Sequence, residues 1–277
     1  ANSFEAPSPA FPNGRFVSSS DGQPVQIINE MEIHFNFELV ADNGLTFGYK
    51  MELEGDGREA DEYVGSVKGG FGTIEIGNED GAHDRLSNFF AAYEFVGVSD
   101  GDGILFDFAD TGVIVPDTAG GDTGDGFKIT YFTPTVAGFR AGASYAATGD
   151  QGGTSNSDVD NSGEGFELGA RYEGEFGDVS LEAGGGYTFF TDNDDSDGWT
   201  IGAIVGFRGY ELSGTVAREN EDKTSYAVGL SYGTGPWGAN LSFAQMLEYN
   251  TVEQAEDAYG ITGEVTYRIA PGVVTGL

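Results

Sequence analysis

The stretch EMEIHFNFEL, residues 30–39, alternates acidic or polar side chains with large apolar ones at every step. Successive side chains of a β-strand point to opposite faces, so this alternation predicts a strand with one apolar and one polar face. The turn residues Ala41 to Gly44 follow, and the alternation resumes from Leu45 to Leu53. The two stretches together are typical of a β-hairpin.

The same period of two residues recurs through the rest of the chain. It is visible at 127–131, 139–145, 166–172, 179–189, 199–208, 226–232, 237–243 and 259–268. Many of the apolar faces begin or end in Tyr, Trp or Phe, and charged residues stand at mid-strand on the polar faces. Aromatic girdles at both interfaces and a wet interior that accepts charge are features of transmembrane β-barrels.

The connections between the predicted strands alternate between short and long. Gly69–Gly72 and Gly174–Gly177 are short, whereas Ala147–Gly165 and Leu247–Asp257 are long and acidic. A barrel with short turns at one end and long loops at the other explains this order, and a Greek-key sandwich does not. The sequence therefore predicts an all-β fold, a transmembrane antiparallel β-barrel that forms one domain over residues 1–277.

Composition narrows the classes of function. The chain has 46 Asp and Glu against 12 Lys and Arg, and a formal net charge of −34. This charge argues against binding nucleic acid, whose phosphates would repel it, and is compatible with cationic solutes, divalent cations or solvated acidic loops. Because the chain has no cysteine, disulfides, thiolate metal sites and cysteine nucleophiles are excluded.

The segment from Glu79 to Gly126 is too long for a plain connection in a compact fold. It is rich in apolar residues, among them Phe89, Tyr93 and Phe106, and this content argues against disorder. We therefore expect residues 79–126 to fold into the barrel as a constriction loop.

Three stretches resemble the trimeric general porins of Gram-negative bacteria, in particular those of the alphaproteobacterial type. They are Glu30–Phe37, Asp42–Gly48 and Gly69–Asn78, the last of which precedes the long third loop. The resemblance extends over nearly the whole chain. It implies about 16 strands, a third loop folded into the lumen, contact with outer-membrane lipid, a homotrimer, and passive passage of small hydrophilic solutes.

Acids of the third loop and bases of the barrel wall are the candidate constriction residues. The resemblance implies that the two sets face each other and create a transverse field across the pore. The acids are Asp84, Glu94, Asp100, Asp102, Asp107 and Asp110, and the bases are Arg15, Lys50, Lys68 and Arg268. The alternative for each is a solvated surface charge. Acids, among them Glu75 and Glu167, outnumber bases on the polar strand faces. We therefore expect a preference for cations.

The acidic run from Asp192 to Asp197 resembles a fragment of a calcium loop. Asp192, Asp194, Asp195 and Asp197 are candidate Ca²⁺ ligands, because clustered carboxylates repel one another unless a cation lies among them. The full EF-hand pattern fails, since its twelfth position, counted from Asn193, is Ile204. An acidic turn without metal is the alternative, and we expect no other cofactor.

Two other classes remain open from the sequence. A secreted acidic β-sandwich that binds calcium or carbohydrate would show the same alternation. An outer-membrane barrel enzyme, such as a phospholipase, would need a Ser or Asp nucleophile beside His34 or His83. Neither histidine alternates with a serine on one strand face, and we interpret both as polar residues of the lumen.

The two ends of the chain depart from the general porin pattern. The first strand, expected near Asn13 to Ser20, lacks clear alternation, and the chain ends at Val273–Leu277 without a terminal strand that finishes in Phe. Counting from Arg15 gives about fifteen strands, whereas bacterial barrels have an even number. We therefore expect that the C-terminal closing strand is missing.

Overall fold

The computed structural model describes residues 32–54, 60–87, 89, 123–147, 164–191, 197–219, 223–247, 258–271 and 273–276. These residues form fourteen β-strands and one short helix. The strands are β1 (Glu32–Val40), β2 (Thr46–Glu54), β3 (Ala60–Gly69), β4 (Gly72–Asn78), β5 (Phe127–Phe132), β6 (Phe139–Ala146), β7 (Gly165–Phe176), β8 (Val179–Phe190), β9 (Gly198–Phe207), β10 (Tyr210–Glu219), β11 (Lys223–Thr234), β12 (Trp237–Leu247), β13 (Ala258–Ala270) and β14 (Val273–Gly276). The helix α1 (Ala82–Ser87) lies between β4 and β5 in the chain. Among the described residues, no helix has the length and hydropathy that crossing a bilayer requires.

All the described strands form one antiparallel sheet in chain order, from β1 at one end to β14 at the other. The predicted first hairpin is confirmed, with Ile33 opposite Leu53 and Phe37 opposite Tyr49. Consecutive pairing within a single sheet is the order of an up-and-down wall and not that of two packed Greek-key sheets. The strand expected near Asn13 to Ser20 lies outside the described residues and is not among the fourteen.

The two faces of the sheet invert the distribution of a water-soluble protein. Large apolar side chains lie exposed on one face, where Phe37 is 63% and Leu39 68% accessible. On the opposite face polar and charged side chains are buried, and Lys128 and Glu167 are only 3% and 1% accessible. A lipid-facing outer wall around a polar interior has this arrangement.

Short turns gather at one end of the sheet, which we call the turn end, and most longer links gather at the other, the loop end. The hairpin from β9 to β10 shows why the turns are tight: Arg208 and Gly209 both have positive φ, 50° and 87°, as a type I′ turn requires. The predicted alternation of short and long links holds with two exceptions, both at the loop end. The link between β2 and β3 is only residues 55–59, no longer than the turn of residues 41–45. The link between β10 and β11 is only residues 220–222, because Glu219 and Lys223 still pair.

Helix α1 lies on the polar face of the sheet and contacts strands β5 to β9. Its apolar residues Ala82 and Leu86 form a small buried cluster with Phe132 of β5. The backbone N–H of Ala82 donates a hydrogen bond of 2.7 Å to Ser144 Oγ on β6. The first described part of the third loop is therefore folded inward, against the wall.

Glycines on neighbouring strands let the helix approach the wall. They are Gly142 of β6, Gly169 of β7, Gly186 of β8 and Gly202 of β9, and we call them the glycine bed. A Cβ atom on any of them would come within 3.0 Å of Ala82, His83 or Phe89. At Gly186 a Cβ atom would overlap the ring of His83, so only glycine leaves room for that ring.

Replacing Gly169 by valine should push α1 off the wall. A Cβ atom there would meet the Ala82 carbonyl and the Leu86 side chain, and overpacking of this kind costs about 1–3 kcal/mol. We expect trypsin to cleave the detergent-solubilised Gly169→Val protein after Arg85 faster than it cleaves the unmodified protein. The control is Gly65→Val, since at Gly65 a Cβ meets nothing nearer than 3.8 Å. Equal cleavage of the two variants would contradict the glycine bed.

Candidate functional site

A cluster of acids surrounds one lysine where the third loop leaves the sheet. Lys50 Nζ lies 2.7 Å from Glu52 Oε1, 2.9 Å from Glu62 Oε2 and 3.0 Å from Glu79 Oε2. These residues come from β2, β3 and the segment after β4, and all three carboxylates are largely buried. His34 Nδ1 also lies 2.7 Å from Glu52 Oε1. We call Lys50, Glu52, Glu62 and Glu79 the acidic cluster, and three carboxylates for one ammonium leave it negative.

Part of this region has the donor set for a cation. One oxygen each of Glu62, Glu79 and Asp80 lies within 4.8 Å of the others, and carboxylate oxygens are the ligands that Ca²⁺ and Mg²⁺ take. Lys50 already supplies a positive charge to Glu62 and Glu79. The geometry is therefore that of carboxylates bridged by one lysine rather than that of an open metal cage.

Three arginines lie on α1 and on the two strands β6 and β7 beside it. Arg85 of α1 pairs with Glu75 of β4, and its guanidinium carbon lies 4.6 Å from the centre of the Phe132 ring. Arg140 of β6 lies 4.4 Å from the same ring centre. Arg171 of β7 is the cross-strand neighbour of Arg140. Arg85 and Arg140 thus flank Phe132, and all three arginines lie on elements other than β2 and β3, which carry most of the acidic cluster.

The charges of these arginines are held in different ways. Burial lowers the pKa of Arg85, but the hydrogen bond and the negative charge of Glu75 outweigh burial and hold the pKa above its ordinary value. Arg171 pairs with Glu182 of β8 and, at 2.9 Å, with Glu173 of its own strand. Its guanidinium carbon lies 5.0 Å from the centre of the Phe89 ring, beyond the end of α1. These contacts hold the positively charged side chains of Arg85 and Arg171 beside the third loop.

The structure brings together only some of the predicted constriction residues. Lys50 meets an acid of the loop, although that acid is Glu79. Asp84 lies on α1, whereas Lys68 and Arg268 lie beside the short turns, at the turn end of β3 and β13. Arg15, Glu94, Asp100, Asp102, Asp107 and Asp110 lie outside the described residues. The pairing of these loop acids with the wall bases stays a prediction.

Sequence reasoning missed several residues of the polar interior. It placed Glu62 in the link after β2, whereas β3 already begins at Ala60. It did not single out Arg85, although a base just after the start of an acidic loop was visible in the sequence. It assigned Glu75 and Glu167 to the polar face correctly, but their partners Arg85, His83 and Thr123 depend on the path of the loop.

The candidate calcium ligands fall mostly outside the described residues, which include Asp197 but not Asp192, Asp194 or Asp195. Asp197 uses both carboxylate oxygens to close the base of its loop. Oδ1 accepts the backbone N–H of Phe190 at 2.9 Å, and Oδ2 accepts the hydroxyl of Tyr187 at 3.3 Å. Asp197 therefore has a structural role, and calcium binding by this loop stays a prediction.

Fold and site together define the class of the protein. A single antiparallel sheet that exposes apolar side chains on one face and collects charges on the other is the wall of a transmembrane β-barrel channel. The model of the Gram-negative porin family matches residues 13–277, and the chain belongs to this family. Its location is the outer membrane of a Gram-negative bacterium. Comparison with curated protein sequences finds no match.

Solved porin structures share this fold. A porin structure refined at 1.8 Å resolution is 16% identical, with a TM-score of 0.58 over 88% of this chain and 85% of that chain. The anion-selective porin from Comamonas acidovorans is 18% identical, with a TM-score of 0.56 over 86% and 74%. A triple mutant of the Rhodopseudomonas blastica porin is 18% identical, with a TM-score of 0.58 over 89% and 83%. At these identities the likeness is one of fold.

Removing the ammonium of Lys50 should destabilise the barrel. In Lys50→Met three largely buried carboxylates lose their shared cation, and we expect a loss of about 1–3 kcal/mol, less than for a fully buried pair. Thermal unfolding in detergent measures this loss.

The matched control is Lys68→Met, which removes the same charge from an exposed site near the turn end and should change stability by about 0.5 kcal/mol or less. Adding Glu62→Gln to Lys50→Met should restore part of the lost stability. Equal losses for the two lysine variants would show that the acidic cluster does not depend on Lys50.

Proposed function

We propose that the protein is a passive diffusion channel for small hydrophilic solutes and ions, that it prefers cations, and that transport involves no chemical step. The observation that carries the proposal is the excess of carboxylates on the polar face. Lys50 faces three carboxylates and Arg171 faces two. A negative lining raises the local concentration of cations and lowers that of anions.

The charges that matter for selectivity are those that no neighbouring opposite charge balances. Lys128 and Glu167 are opposite in sign and both buried, so the pair adds little net charge to the pore. Arg140 opposes the proposed preference, because it makes no ion pair within the described residues. The net negative charge of the acidic cluster is larger than the single positive charge of Arg140. The carboxylates therefore determine the sign of the preference.

Fold alone does not determine the sign of selectivity. One porin of the same fold is described as anion-selective, at 18% identity. Lining residues differ freely at this level of identity, so the argument for cations rests on the residues of this chain. The predicted acids Asp100, Asp102 and Asp107 of the third loop would deepen the negative potential.

Residues 79–126 are proposed to narrow the channel. Support comes from α1, which lies on the polar face, and from Thr123, whose backbone N–H and hydroxyl both bond to Glu167 of the wall. Both described ends of the loop are thus inside the sheet's polar face. An interior constriction is the arrangement that lets a wide barrel discriminate by size and charge.

Reversal potentials across a planar bilayer in a KCl gradient test the preference, and we expect cation selectivity. A unit charge about 6 Å from a permeating ion in water acts with about 0.7 kcal/mol, which is about threefold in permeability ratio. Glu79→Gln should lower the cation-to-anion permeability ratio by about this factor, and Arg140→Gln should raise it.

The control is Asp42→Asn, in the exposed turn between β1 and β2, which should leave the ratio unchanged. Salt should weaken the preference, because the Debye length falls below about 10 Å above 0.1 M. Anion preference would contradict the assignment of the lining, and the absence of any conductance would contradict the channel itself.

We further propose that the protein assembles as a homotrimer, as the resemblance to trimeric general porins implies. Chemical cross-linking in intact outer membranes, before detergent extraction, should give dimer and trimer bands and no larger ladder. A cross-linked product that stops at the dimer would contradict the proposal.

A further inference from the structure

The two described ends of the third loop meet at the same place on the wall. Residues Glu79 to His83 leave β4, and residues Thr123 and Gly124 return to β5. We call this meeting point the neck of the loop. Two buried charged side chains of the wall, Glu167 and Lys128, each bond to both ends.

Glu167 of β7 accepts hydrogen bonds from backbone N–H groups of both ends. Its Oε2 accepts the N–H of His83 at 3.3 Å, and its Oε1 accepts the N–H of Thr123 at 2.8 Å. Oε1 also accepts the Thr123 hydroxyl at 2.7 Å. Hydrogen bonds to a carboxylate are stronger than neutral ones, and at 1% accessibility no water competes with them.

Lys128 of β5 makes the complementary contacts. Its ammonium donates to the carbonyl oxygen of Glu79 at 2.6 Å and also to the carbonyl oxygen of Gly124. The side chain is 3% accessible, so these carbonyls replace the water that an ammonium normally holds. Glu167 thus accepts hydrogen bonds from both ends of the neck. Lys128 donates hydrogen bonds to both ends.

We propose, on the basis of the proposed channel function, that Glu167 and Lys128 are positioning residues that clamp the neck and so fix where α1 lies in the pore. The position of α1 matters because α1 carries the charged side chains of Asp84 and Arg85 into the part of the lumen that also holds Arg171. With the clamp intact, the channel has a single conductance level. Without it, α1 takes several positions and the conductance divides into several levels.

The neck also accounts for the glycine bed. Gly81 lies so close to the Glu167 carboxylate that a Cβ atom would overlap it, and Gly169, two residues along β7, lies under Ala82. His83 is held further by its ring, whose Nδ1 lies 2.7 Å from Thr188 Oγ1. The carboxylate, the glycines and the threonine together leave α1 one position, and Glu167 is the element that joins α1 to the returning end of the loop.

The test is a single-cysteine accessibility assay, which is clean because the chain contains no cysteine. Ser87 on α1 is 2% accessible, so Ser87→Cys should react slowly with a water-soluble maleimide in detergent-solubilised protein. Adding Glu167→Gln should speed this reaction by about tenfold or more, since the loss of one charge-assisted bond shifts a two-state equilibrium by at least that factor. Thr262→Cys, buried on β13, should react equally with and without Glu167→Gln.

Matched variants separate the clamp from general loss of stability. Glu264→Gln removes another buried carboxylate of the polar face, on β13, and should leave the labelling of Ser87→Cys unchanged. Thr123→Val, which removes only the hydroxyl bond, should give a smaller increase than Glu167→Gln. If Glu167→Gln does not fold, Thr123→Val and Lys128→Met decide, and both should raise labelling of Ser87→Cys alone.

Single-channel recordings give the second measurement. We expect one conductance level per pore for the unmodified protein and for Glu264→Gln, and several levels per pore for Glu167→Gln and for Lys128→Met. Unchanged labelling of Ser87→Cys in Glu167→Gln, or increased labelling at Thr262→Cys as well, would overturn the clamp. Absence of conductance in the unmodified protein would instead overturn the proposed function, because the labelling assay does not depend on transport.

Discussion

Hydrogen-bonded pairing of each strand with the next along the chain is the interaction on which the rest of the structure depends. Lipid offers no partner to a backbone N–H or C=O group, so the wall of a membrane protein must satisfy these groups by itself. A continuous ladder does so, and its period of two sends alternate side chains to the lipid and to the interior. Charged residues gather inside because the outer face cannot accept them.

The interior is consequently organised by polar contacts rather than by an apolar core. The buried apolar cluster of Ala82, Leu86 and Phe132 is small, and it serves to seat one helix. Around it, partly buried charges pair with opposite charges, as Arg85 pairs with Glu75, and the buried Lys128 donates to two backbone carbonyls. Buried charges persist only when they are paired or fully hydrogen-bonded, so each such contact restrains the path of the chain.

Patterns in short stretches of sequence predicted the strands of the wall, because the alternation within a strand and the turn that follows it depend only on neighbouring residues. Alternation over 30–39 and 45–53 was enough to predict the hairpin of β1 and β2, and the long apolar segment after β4 was enough to expect an inward loop. Alternation also assigned Glu75 and Glu167 to the polar face. Alternation shows which face a residue lies on, but not how far along the pore axis it lies. For this reason Lys68 and Arg268 were grouped with the loop acids from sequence alone, although they lie at the turn end.

The contacts between distant segments could not be predicted from the sequence for a related reason. Lys50 meets Glu62 and Glu79 only because β2, β3 and the start of the loop converge, and no spacing in the chain records this convergence. The partners of Glu167 are separated from it by 84 and 44 positions. Such contacts follow from the route of the third loop, which depends on the whole sheet beneath it.

The glycine bed has a consequence for how this kind of channel changes over time. Where α1 lies, the wall contributes hydrogen atoms in place of side chains at Gly142, Gly169, Gly186 and Gly202, so at that height α1 and not these strand positions supplies the side chains that face the interior. Wall and filter are therefore separable parts. Substitutions confined to one insertion can therefore change the shape and charge of the interior while the strands keep the same lipid-facing shell.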